Sequence, residues 1–131
     1  MKLRPAAPFV ALTFALVLCA LPLSGADTAP KPRKVSLKAM LVDISCATER
    51  ADDLDTLRIK HTRKCLQMPE CEKSGFGILT SDNKVFRFDA AGNEKAKALI
   101  ASTQQEKEIQ VKVSGRLEGD LLTVKKLSLV Q

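Results

Sequence analysis

The chain lacks tryptophan and tyrosine altogether and has one histidine. Of its five phenylalanines, Phe9 and Phe14 lie in an N-terminal apolar run, which leaves Phe76, Phe86 and Phe88 for the rest. Three rings are too few for a platform on which nucleic-acid bases stack, so no nucleic-acid partner is expected. There is no Cys-x-x-Cys pair, which excludes a dithiol oxidoreductase of the usual spacing. No glycine-rich loop leads into a helix: Ser74-Gly75-Phe76-Gly77 opens a strand and reads as tight backbone packing. Asp52, Asp53 and Asp55 lack the alternation and glycine of a calcium loop and read as a solvated helix start. Only one long hydrophobic run exists, Phe9 to Leu23, and it falls short of the roughly 20 residues that span a bilayer.

That run follows Lys2 and Arg4 and ends in Ser24-Gly25-Ala26. A short positive stretch, an apolar core and small residues at the cut make a secretory signal, with cleavage expected after Ala26. Residues 1–26 are therefore expected to be a cleaved signal peptide, and the mature chain to be secreted or periplasmic and not integral to a membrane. Cys19 lies within the discarded run and Leu18 before it is too large for a lipid-attachment signal, so three cysteines remain. About a hundred residues are left, enough for one small domain with a thin stability margin. Export places it where disulfides persist. The full-chain net charge of +6 becomes +4 when Lys2 and Arg4 leave, with both signs well mixed. Such a balance suits solubility or mild attraction to anionic surfaces.

Residues 27–34 are polar and proline-rich and read as a flexible tether; residues 35–131 form the domain. Val35 to Ile44 starts with alternation and ends apolar on both faces, the pattern of a strand that becomes buried. Residues 49–68 switch period: Ala51, Leu54, Leu57, His61, Cys65 and Met68 recur three and four apart, a helical stripe with Thr48 as its cap and Pro69 as its stop. Strands are expected over 75–80, 84–88, 109–113 and 121–130, a turn at Ser81-Asp82-Asn83, a helix from Asn93 to about Ser102, and a hairpin loop at 117–120. Strand, helical insert, strand, strand, helix, strand, strand is the order of a five-stranded OB-like barrel, a mainly β fold with a helical insert. The alternative is an open five-stranded sheet with one helix packed on it. Lys125-Lys126 reads as an edge charge pair that discourages aggregation.

The motif His61-Thr-x-x-Cys65-x-x-Met68-Pro-x-Cys71-x-x-Ser74-Gly-Phe-Gly77, preceded by Asp43-x-x-Cys46, resembles a group of small exported bacterial proteins described as OB-like and of unknown function. The resemblance covers nearly the whole mature chain. It implies the barrel and the importance of the cysteine cluster, and implies no activity.

Cys46, His61, Cys65, Met68 and Cys71 hold almost every soft or titratable donor of the domain. Two of the three cysteines are expected to pair. Cys65 and Cys71 would stand about 120° apart around one continuous helix, too far to bridge unless Pro69 breaks it. Cys46 bonded to either would instead pin the insert to the end of the first strand. The other reading is a metal site. On one helix His61, Cys65 and Met68 would share a face that Cys46 and Cys71 flank, a soft set suited to copper(I); zinc would take His61 and the cysteines and leave Met68. The same positions also make an ordinary core stripe. With no oxyanion loop or helper amide, no enzymatic activity is expected. The domain is expected to be a binding module holding a soft metal or a small ligand, or, in the alternative, a disulfide-stapled module that meets a protein or envelope polymer.

Overall fold

The structure, a computed structural model, describes residues 29–131. Residues 1–26, expected to be a signal peptide, and the first two residues of the expected tether lie outside the described residues. Five strands, β1 (Arg33–Asp43), β2 (Phe76–Leu79), β3 (Val85–Phe88), β4 (Gln110–Glu118) and β5 (Leu121–Leu129), close in the order β1-β2-β3-β5-β4. All neighbours are antiparallel except β3 and β5, which run parallel. That is the OB-like barrel, and it excludes the open sheet. β1 begins two residues earlier than the sequence pattern suggests, because Arg33 and Lys34 pair with Leu117 and Arg116. β4 likewise runs on to Glu118, so the hairpin turn is only Gly119-Asp120.

Barrel closure follows from alternation. Ala39 and Leu41 of β1, Ile78 of β2, Phe88 of β3, Val111 and Val113 of β4, and Leu122 and Val124 of β5 point inward and are buried together. The helix α5 (Ala90–Ser102) plugs this core with Ala96 and Ile100. Its cap is Asp89, whose side chain accepts from the Gly92 amide at 3.0 Å. Asn93, the cap expected from sequence, sits a turn inside the helix and accepts from the Phe76 amide at 2.8 Å, tying α5 to β2.

The insert between β1 and β2 is where expectation and structure part. Residues 49–68 do not form one helix. Four short helices replace it: α1 (Ile44–Glu49), α2 (Leu54–Lys60), α3 (Arg63–Leu66) and α4 (Pro69–Ser74). Asp43, Asp53 and Thr62 each accept a backbone N–H as side-chain caps of α1, α2 and α3. Pro69, expected as a stop, starts α4, where its missing N–H costs nothing. Side chains that cap locally compete with helix continuation, which is why a sound three-four stripe breaks up.

The insert lies over the outer face of β1 and β2. Met40, Val42 and Leu79 pack there against Ala47 and Leu57, a second small core. This accounts for the double-sided apolar end of β1. Arg63 fastens the far side of the insert by donating to the Thr103 carbonyl at 3.0 Å and pairing with Glu106 at 2.6 Å. No helix among the described residues is long and apolar enough to cross a membrane.

Candidate functional site

β1 ends on an acid. Asp43 falls on the inward parity of Ala39 and Leu41 and is fully buried. Its Oδ1 accepts the Cys46 amide at 2.8 Å, and its Oδ2 lies 2.7 Å from His61 Nε2. His61 is itself only 4% exposed. Burial alone would raise the Asp43 pKa, yet the hydrogen bond from His61, the Cys46 amide and the attraction of His61 together hold the carboxyl below its usual range. The carboxylate therefore accepts and His61 Nε2 donates.

Two thiols stand beside this pair; the disulfide expected from sequence is not formed in the structure, where Cys46, Cys65 and Cys71 are all free. A carboxylate oxygen of Asp43 and the sulfurs of Cys46 and Cys71 all lie within 4.8 Å of one another. Cys46 is in α1 and Cys71 in α4, the first and last helices of the insert. The two helices are held together by the Ile44 amide donating to the Gly75 carbonyl and the Ser45 amide donating to Ser74 Oγ, both at 3.0 Å. Gly75 takes φ 86°, which a side chain would disfavour, and this turn aims its carbonyl back at α1. Burial and the neighbouring carboxylate push the Cys46 thiol up to about 12, and raise the Cys71 thiol as well. Neither sulfur is a ready nucleophile in the reduced protein.

Cys65 is partly buried in α3, where Thr62 Oγ1 donates to its sulfur at 3.3 Å. It lies outside the group formed by Asp43, Cys46 and Cys71. Met68 is half exposed, at 50%, in the break between α3 and α4. With the helix broken, His61, Cys65 and Met68 no longer share a helical face. Of the five residues singled out from sequence, the structure joins Cys46, Cys71 and His61 through Asp43. No family model, curated protein or solved structure matches the chain.

Asp43 is the residue that sequence reasoning passed over as a mere motif member. Its signal was present: an acid closing the apolar run Met40-Leu41-Val42 has no solvent to face, so it must be partnered. The donor set also differs from the one read from spacing. A carboxylate and two thiolates, with His61 behind the carboxylate, form a harder set than imidazole, thiolates and thioether.

Proposed function

We propose that this chain is an exported, non-enzymatic binding module whose helical insert is locked to the barrel by a Cys46–Cys71 disulfide. The observation that carries this reading is the placement of two high-pKa thiols, Cys71 buried and Cys46 half-buried, side by side on the helices that open and close the insert. High-pKa thiols are poor leaving groups and poor metal-free nucleophiles, so a disulfide between them exchanges slowly, as a structural bond does. The bond would close a loop of 24 intervening residues, worth about 3.5 kcal/mol in the chain-entropy account. The signal-like N-terminus supports export to a compartment that keeps the bond oxidised. Asp43 and His61 then act as an internal polar tie, leaving the outer barrel surface for the partner.

A second reading rests on the same triad. Asp43, Cys46 and Cys71 supply three ligands of a tetrahedral site, and the carboxylate favours zinc over copper(I). A bound ion would lower both thiol pKa values outright. Alkylating the mature protein under non-reducing, denaturing conditions, with metal analysis of the same sample, separates the two. A Cys46–Cys71 peptide with Cys65 alone alkylated is expected. Three alkylated cysteines with one zinc per chain would establish the second reading instead, and three alkylated cysteines without metal would remove both.

A further inference from the structure

The net charge of the chain is modest, yet the fold sorts it. β1, β4 and β5 lie side by side, and their outward positions carry Lys34, Lys38, Lys112, Arg116, Lys125 and Lys126, all exposed. Register sets them in rows: Lys34 opposite Arg116, and Lys38 opposite Lys112. Ser36 pairs with Ser114, Ser114 with Lys126, and Lys112 with Ser128, so hydroxyls fill the spaces between cations. A β-bulge thickens the patch. The register slips between Ser114 and Gly115, and one extra residue on β5 turns both Lys125 and Lys126 outward between the inward Val124 and Leu127. Gly115 permits this, since a Cβ there would collide with the Thr123 carbonyl.

The only acids in these three strands are Asp43, buried at the far end, and Glu118, at the hairpin. Among the described residues none of the six cations forms an ion pair. Two grooves of about 510 and 370 Å³ cross the face and share Ser114. Within them stand Lys34, Arg116 and Lys125, then Lys112 and Lys126.

From this we infer that the β1-β4-β5 face binds a linear polyanion carrying repeated phosphate groups. The pairs Lys34–Arg116 and Lys38–Lys112 each set two cations on neighbouring strands, the pairs lie about 14 Å apart along the strands, and Lys126 falls in the row between them, so positive charge recurs along the face. The partner is an acceptor-rich chain, because the face offers ammonium, guanidinium and hydroxyl donors. An acidic polysaccharide also brings hydroxyl donors, and the side-chain acceptors the face offers them are the serine and threonine hydroxyls alone, with no carboxylate. A nucleic-acid strand brings bases, and of the rings among the described residues Phe76 and Phe88 are buried and Phe86, half-buried, packs against the core. A bilayer would reward apolar anchors, and the exposed ones are Ile59 and Met68 on the insert and Leu121 at the hairpin end. This inference is independent of how the cysteines pair.

The test uses the mature protein and labelled inorganic polyphosphate, titrated over a range of salt. Saturable binding is expected, with affinity falling steeply as salt rises, a log–log slope of about −3 for four neutralised phosphates. Lys112→Glu with Lys126→Glu should weaken it at least about tenfold, while Lys60→Glu with Lys64→Glu, the same charge change on the insert, should alter it less than about threefold. Lys112→Gln with Lys126→Gln removes charge without adding repulsion and serves if the first pair fails to fold. Equal loss from both pairs, no binding at low salt, or tighter binding to a single-stranded oligonucleotide or to anionic phospholipid vesicles would each overturn the inference.

Discussion

At the scale of single residues the site turns on Asp43. A buried carboxylate survives in a small core only when its lone pairs are taken, here by one amide and one imidazole. Asp43→Asn keeps the size but loses the charge that His61 answers, and should cost about 2–4 kcal/mol in urea unfolding. The pH dependence has a definite sign. Because the folded pKa lies below the ordinary 3.8, Asp43 adds stability that is fully present above that value. The contribution disappears as pH falls through the folded pKa, and Asp43→Asn should flatten that limb of the stability–pH curve. Chemical modification checks the thiols separately. In the reduced protein at pH 8, Cys46, raised to about 12, should react with iodoacetamide far more slowly than a free cysteine, and unfolding should restore ordinary reactivity. Equal rates in folded and unfolded protein would contradict the burial and carboxylate contact that raise it.

At the scale of elements, the strands were legible and the insert was not. Alternation marks one inward face, and strands of four to eleven residues leave little room for another answer. The stripe from Leu54 to Met68 has a sound helical period, but period alone cannot show that Asp53 and Thr62 turn their side chains onto the backbone and restart the helix. Spacing therefore grouped Met68 with His61 and Cys65, whereas the broken chain groups Cys71 with Cys46 and Asp43. The α5 cap was missed for a related reason. Both Asp89 and Asn93 can cap, and only the tertiary bond from the Phe76 amide to Asn93 shows which one is engaged elsewhere. Asp89 also accepts the Val124 amide at 3.0 Å, so it joins helix to barrel. Asp89→Ala should cost about 2 kcal/mol, more than an ordinary cap, read as a lower thermal midpoint.

At the scale of the whole molecule, topology decides what charge means. A balance of +6 over the full chain gives no hint of a basic face, because its members are spread over β1, β4 and β5 and meet only when the barrel closes. The same closure leaves the β3 side of β5 without a strand partner beyond Leu122, since β3 pairs with it only at Leu121 and Leu122, while β4 pairs with it through to Leu129. α5 packs against β5, and Lys126 sits beside the groove between them, so a pair read from sequence as an edge guard belongs in the closed barrel to the basic face.

The chain leaves the barrel at Ile44 and returns at Gly75 through a single gateway, with the two backbone segments hydrogen-bonded to each other. The branch beyond that gateway packs back on the barrel through Leu57, Leu66 and Arg63, but its turn at residues 50–53 is exposed, and length added there is felt through closure entropy. Ten glycine and serine residues added at the exposed turn after Ala51 should lower stability by less than about 1 kcal/mol, measured by urea titration. A protein built this way can lengthen or redecorate that one turn without renegotiating its trunk.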